Sequence, residues 1–220
     1  MTAGQVAESE LPYLELNDSI DKAMGFMDEF KLTHFPVIDG SQFVGLIYEE
    51  DIYEIDDWSQ SISNSKIRLP NVCIDATKHF LSCVNKMQVS KISCLPVVDA
   101  KSTFLGVVSR SRIVDVFGKA AIVEDAGGVI EVEMAITDYY LTEISRIVEN
   151  TGVKILGTYI RTSKDNNKLV LTIKLNKQEV ESVINSLDRF GYQVVASYQA
   201  KSENDDMQNR YDNLMNYLNI

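Results

Sequence analysis

The chain has very little of what catalysis, metal binding or a membrane would need. It holds two histidines, one tryptophan, four prolines and three cysteines in 220 residues. Cys73, Cys83 and Cys94 show no C-x-x-C spacing, and neither histidine stands at ligand distance in sequence from a cysteine. The thiols therefore read as buried side chains and not as a zinc set. No nucleophile elbow, P-loop, H-E-x-x-H or G-x-G-x-x-G occurs, so a non-catalytic protein is expected. No apolar run approaches the ~20 residues that span a bilayer. The N-terminus, Met1-Thr2-Ala3-Gly4-Gln5, has neither a basic region nor an apolar core, so the expectation is a cytoplasmic protein without a membrane partner. Positive charge is also short: 21 basic residues against 32 acidic give a net charge of −11. That argues against nucleic acid as a partner, because non-specific binding needs a positive field.

A repeat is the main positive signal. Thr33-His34-Phe35-Pro36-Val37-Ile38-Asp39 runs on to Gly45-Leu46-Ile47. Sixty residues later Ile92-Ser93-Cys94-Leu95-Pro96-Val97-Val98-Asp99 leads to Gly106-Val107-Val108. In each copy a proline opens an apolar run, an aspartate closes it, and a glycine-led apolar run follows. Asp39-Gly40 is a turn signal, so each copy reads as a hairpin with its proline at the first strand's start. The register extends backwards through two helical stripes, Ile20, Ala23, Met24, Met27 and Phe80, Cys83, Val84, Met87. It extends forwards through Ile52 and Ile55, then Ile113 and Val116. Asn17-Asp18-Ser19 supplies capping chemistry for the first stripe. One unit is too small to bury a sufficient core, so two should pack together.

This pattern resembles a tandem pair of CBS domains, the regulatory modules named after cystathionine β-synthase. The resemblance implies two β-α-β-β-α units in a pseudo-two-fold arrangement, repeat 1 over 1–62 and repeat 2 over 63–122. It also implies clefts that bind adenosyl compounds such as AMP, ATP or S-adenosylmethionine, with no cofactor required. Relatives often read Ser/Thr-x-x-Asp after the glycine-led strand, because a carboxylate accepts ribose hydroxyls and a hydroxyl at a helix N-terminus reaches phosphate. Here copy one reads Tyr48-Glu49-Glu50-Asp51 and copy two Ser109-Arg110-Ser111-Arg112. The resemblance therefore assigns ribose to Asp51 and phosphates to Ser109, Arg110 and Arg112. An Asp51–Arg112 ion pair that closes the cleft is the alternative. His34 and Phe35, with Cys94 and Leu95 as their counterparts, fall at the edge that lines the adenine site in relatives. The other reading puts Phe35 in the core and His34 at the surface.

Between these landmarks the chain is plainer. Glu49, Glu50, Asp51, Glu54, Asp56 and Asp57 lack EF-hand spacing and read as the wet face of an exit helix, with no metal expected. The serine-rich stretch from Trp58 to Lys66 reads as a linker, with Trp58 covering the repeat interface. Strands are expected around Tyr13-Leu14 and Val72-Cys73-Ile74.

After Gly127-Gly128 the pattern changes. Ile130, Val132, Met134 and Ile136 alternate as a strand. Asp138 is placed to cap a helix through Leu141, Ile144, Ile147 and Val148. Two strands follow, Ile155 to Arg161 and Leu169 to Leu175, across a turn at 164–167. Asn176 with Glu179 resembles a capping box, opening a helix through Val183 and Leu187. Tyr192, Val194, Ala196 and Tyr198 close a β-α-β-β-α-β order, the ferredoxin-like arrangement, over 128–200. After a CBS pair this looks like an ACT-like domain, and the whole order resembles the acetoin-utilisation regulatory proteins. A mixed α+β and α/β chain follows. Thr137-Asp138-Tyr139 lacks the Pro-Gly turn of amino-acid-binding relatives, so this domain is expected to pair sheets in a homodimer. Met207, Tyr211, Leu214, Met215 and Leu218 form an amphipathic stripe in 201–220, suited to its own chain or to a second copy. The overall expectation is a sensor with a small-molecule effector, or else a ligand-free adaptor for a protein partner whose identity stays open.

Overall fold

Pro36 and Pro96 stand where a missing N–H removes nothing. Pro36 pairs with Leu46 and Pro96 with Val107 across their hairpins. Leu46 N–H turns outward to Pro70 O at 3.0 Å, and Val107 N–H to Glu8 O at 3.2 Å. Neither asks its proline for a partner. The prolines thus sit third in their strands and not first, a small correction with a hydrogen-bonding reason.

The computed structural model describes residues 1–162 and 167–199. Its first unit is Met1–Phe117, and a second unit begins at Gly118. In the first unit a short helix α1 (Ala3–Val6) precedes two matching runs. One is β1 (Leu14–Glu15), α2 (Ile20–Phe30), β2 (His34–Asp39), β3 (Gln42–Tyr48) and α3 (Glu49–Ile52). The other is β4 (Ile74–Asp75), α4 (Phe80–Ser90), β5 (Cys94–Val98), β6 (Phe104–Ser109) and α5 (Arg110–Gly118). Each makes a three-stranded sheet, β1-β2-β3 and β4-β5-β6, with a parallel first pair and an antiparallel hairpin. Ser19 caps α2 by accepting from Lys22 N–H at 3.1 Å. His79 Nδ1 takes the same role at α4. The predicted stripes are buried at Ile20, Ala23, Met24, Met27 and at Phe80, Cys83, Met87.

The serine-rich stretch is no linker. Ile20 N–H donates to Gln60 O, Ile62 N–H to Asp18 O and Ser63 N–H to Leu16 O, at 2.9–3.1 Å. Ile62 and Ser65 are buried. The N-terminal arm does the same for the second repeat: Phe80 N–H donates to Met1 O, Ala3 N–H to Lys78 O and Gly4 N–H to Ala76 O. The bridges Ser19↔Ser61 and Thr2↔His79 match in register. Residues 60–63 and 1–4 are therefore equivalent: 60–63 closes the opening of repeat 1 and 1–4 that of repeat 2, so each serves the repeat that the other leads into. Trp58 packs on the core of repeat 1, with Nε1 donating to Ile55 O at 2.9 Å. The exit helix of copy one is shorter than its acidic run, ending at Ile52.

The repeats meet at two seams. At the hairpin tips Phe43 N–H donates to Ser102 O (3.0 Å) and Phe104 N–H to Ser41 O (2.9 Å), flanking a Gln42↔Thr103 bridge. That reciprocity is the pseudo-two-fold axis read from hydrogen bonds. At the other seam Thr33 N–H donates to Ser93 Oγ at 3.0 Å, and Ser93 N–H to His34 Nδ1 at 3.2 Å. An N–H only donates, so Nδ1 carries no proton and His34 is the Nε2–H tautomer. Its ring meets Tyr48 edge-on, 4.4 Å between centroids, and Cys94 Sγ donates to His34 O at 3.1 Å. Burial first, then the Arg110 charge, pushes His34 from 6.5 down to about 4 against an opposing pull from Glu49.

The second unit runs α6 (Ala121–Glu124), β7 (Val129–Ala135), α7 (Leu141–Glu149), β8 (Ile155–Thr162), β9 (Lys168–Leu175), α8 (Glu181–Arg189) and β10 (Gln193–Tyr198). Its antiparallel sheet has the order β10-β7-β9-β8. Ile130, Val132, Leu171 and Ile173 are fully buried with Ile144, Val148, Val183 and Leu187 in one core. Several local expectations change. Ile136 lies in a 3₁₀ turn and is exposed. Asp138 caps nothing; α7 starts after Tyr140 without a side-chain cap. Asn176 Oδ1 accepts from Lys154 N–H at 2.8 Å instead of capping α8. A bulge between Val194 and Ala196 moves Ala196 and Tyr198 onto the face opposite Val194. The predicted turn residues 164–166 and the 201–220 stripe lie outside the described residues.

Two outcomes follow. A Cβ on Gly106 (φ +139) would lie 2.7 Å from Glu8 O, whereas Gly25, inside α2, has nothing within 4 Å. Gly106→Ala should lower stability by roughly 2 kcal/mol or more, and Gly25→Ala should raise it by roughly 0.5–1 kcal/mol; urea midpoints read both. For His34, the unfolded chain takes up a proton near pH 6.5 that the folded chain refuses down to about 4. Unfolding therefore gains protons in that window, and stability falls as pH is lowered through it. Asp18, Asp57, Asp75 and Asp99, held below their usual 3.8, lose their contribution only at lower pH. His34→Gln should flatten the loss between pH 7 and 5; equal slopes in both proteins contradict the assignment.

Candidate ligand cleft

The cleft is built from three elements of the first unit. The arm after α1 supplies Ala7, Glu8, Ser9, Glu10 and Leu11, the end of α2 supplies Phe30, and α5 supplies Arg112; together they wall a cavity of about 540 Å³. Arm and α5 are fastened by Arg112 Nε, which donates to Val6 O at 3.0 Å. They are fastened again at Ser109, the last residue of β6. Its Oγ donates to Glu8 Oε2 at 2.6 Å and its N–H to the same oxygen at 3.2 Å. Ser109 Oγ also accepts from Arg112 N–H at 3.1 Å, capping α5, and lies 2.8 Å from Ser111 Oγ.

The residues singled out in the sequence are distributed by this geometry. Arg112 lines the cleft. Ser109 stands directly behind Glu8, buried, and does not reach the cavity. Arg110 points elsewhere: its Nε donates to Ile92 O at 3.2 Å, and it lines a separate apolar groove of about 560 Å³ with Val84, Met87, Ile113 and Val114. Asp51 is half-buried on α3, and no ion pair joins it to Arg112 among the described residues. The cleft-closing bridge is therefore absent. Phe35 is fully buried between Phe26 and Phe30, with centroids at 5.6 and 6.2 Å. Cys94 and Leu95 are fully buried too, and burial pushes the Cys94 thiol up to about 12. These three are core residues and cannot face a base. His34 is a buried seam residue, neither at the surface nor in the cleft. No cluster of metal-ligating side chains occurs among the described residues.

Sequence reasoning passed over the arm and Phe30. A signal was present: Gly45 and Gly106 hold the same place in the two copies. Leu69 O would lie 2.5 Å from a Cβ on Gly45, as Glu8 O would lie 2.7 Å from one on Gly106. Carrying the repeat backwards from the glycines would have reached the arm.

Comparison with known proteins agrees with this architecture. Residues 3–56 and 65–119 match the family described as CBS domain. A homoserine O-acetyltransferase of Methanococcus vannielii is 32% identical over 104 residues, 44% of this chain. The chain spans about a fifth (21%) of the length of that curated relative. Among solved structures, a CBS domain pair/ACT domain protein from Thermotoga maritima is 20% identical, with 55% of this chain and 98% of that one covered and a TM-score of 0.49. A putative acetoin utilization protein from Vibrio cholerae is 18% identical over 53% and 90%, TM-score 0.47. CBSX2 in complex with AMP is 21% identical over 53% and 95%, TM-score 0.46. The duplicated sheet-and-helix units with reciprocal seams, and the match over both copies, make residues 3–119 a tandem pair of CBS domains.

Proposed function

We propose that the tandem pair is a non-catalytic regulatory module that takes an adenosyl-type ligand in the cleft between arm, α2 and α5. The observation that carries this reading is the cavity itself. About 540 Å³ is within the usual size of small-molecule sites, and its lining combines apolar Leu11 and Phe30 with polar groups at Glu8, Ser9, Glu10 and Arg112. Its walls belong to both repeats, so a ligand there would favour one relative arrangement of them and shift the population accordingly. Asp51, which holds in copy one the place of Arg112 in copy two, belongs in this reading to the second, pseudo-symmetric cleft.

We further propose that 128–200 is an ACT-like, ferredoxin-fold domain that pairs two copies into a homodimer. The strand order β10-β7-β9-β8 and the helices α7 and α8 support the fold. The segment Ile136–Asp138 carries an acidic side chain and no glycine, which favours pairing over capture of a carboxylate.

A second reading, a ligand-free adaptor that binds a protein partner, is favoured by one observation: Ser109 is already satisfied by Glu8. A thermal-shift panel separates the two. A ligand at a hundred times its Kd adds about 2.7 kcal/mol of stability. AMP, ATP, adenosine or S-adenosylmethionine should raise the melting temperature of the wild-type chain, and Arg112→Ala should lose most of the shift. A flat panel on a folded protein supports the adaptor.

A further inference from the structure

Glu8 does more than hold the arm. Its carboxylate lies at the first turn of α5, a nine-residue helix, and takes both the N–H and the hydroxyl of Ser109. An anion is stabilised at that end of a helix, and the oxygen fills the place a phosphate oxygen would take. The main chain beneath the carboxylate is fixed: Glu8 N–H donates to Val107 O at 2.7 Å and Glu8 O accepts from Val107 N–H at 3.2 Å. Turning the carboxylate away would give up both of its bonds from Ser109. The cavity beyond Glu8 adds a second carboxylate, the exposed Glu10, and a single cation, Arg112, whose Nε is already given to Val6 O. Two acids against one base leave the wall negative.

We infer that Glu8 sets the charge class of the ligand. The cleft takes a neutral nucleoside, or one with a positively charged tail such as a sulfonium or ammonium, and turns away phosphorylated ones. Glu8 is the built-in substitute for the phosphate. The inference rests on the cleft reading above and deepens it.

The test is calorimetric titration of the full chain with adenosine, S-adenosylmethionine, AMP and ATP, for wild type and Glu8→Gln. Gln keeps an acceptor for Ser109 and removes the charge. Wild type should bind adenosine and S-adenosylmethionine at least tenfold tighter than AMP or ATP, and Glu8→Gln should narrow that ratio or reverse it. The wild-type order is informative by itself if the variant fails to fold. AMP or ATP binding wild type as tightly as adenosine overturns the inference and leaves the cleft reading standing. So does an order that Glu8→Gln leaves unchanged. Absence of binding by all four to a folded wild type overturns the cleft reading, and the inference with it.

Discussion

The first unit depends on a close approach of backbone to backbone. A Cβ on Gly106 would lie 2.7 Å from Glu8 O and one on Gly45 2.5 Å from Leu69 O, so only glycine admits the crossing segments. Each three-stranded sheet begins with a two-residue strand and has one edge left to pair. The crossing segments use that edge at Leu46 and Val107, across from Pro36 and Pro96, where the hairpin leaves the N–H groups pointing outward. Without them those donors and the apolar surface beneath would be left to water. With them, Ala3 and Val6 are buried in the core of repeat 2 and Ile62 in that of repeat 1.

The same exchange builds the candidate cleft. The arm that completes repeat 2 also supplies five residues of the cleft wall, and Phe30 comes from repeat 1. The same residues thus complete the fold of repeat 2 and wall the cleft. This explains why the sites expected from the hairpins fared unevenly. Phe35, Cys94 and Leu95 occupy strand positions whose side chains fill the cores, whereas Arg112, in the first turn of α5, lines the cavity.

What was legible in the sequence was whatever depends on local periodicity. The stripe Ile20, Ala23, Met24, Met27 and the β9 positions Leu169, Leu171, Ile173 and Leu175 are all buried as the pattern says, although Val170 and Thr172 on the other face of β9 are buried too. What was not legible depends on long-range hydrogen bonds. Ser59, Ser61, Ser63 and Ser65 look like a loop because polar residues carry no period, yet their backbone is held by the opening of α2. Asn176 looks like a cap, but the backbone N–H of Lys154, just ahead of β8 and 22 residues away, takes its oxygen. His34 looks like a surface or ligand residue until Ser93, 59 positions on, donates to it. The strand bulge at Val194–Ala196 likewise breaks a period of two that the sequence displays without interruption.

The arm is an integral part of repeat 2, bridged to β6 at Glu8 and Val107, and not a loose tail laid over it. Native-state hydrogen exchange at the amides of Glu8 and Val107 tests this most directly, since these two donate to each other's carbonyls. Both amides should exchange only with global opening of the unit, together with those of β5. Exchange of the Glu8 amide at the rate of a freely exposed one, while β5 stays protected, would contradict it.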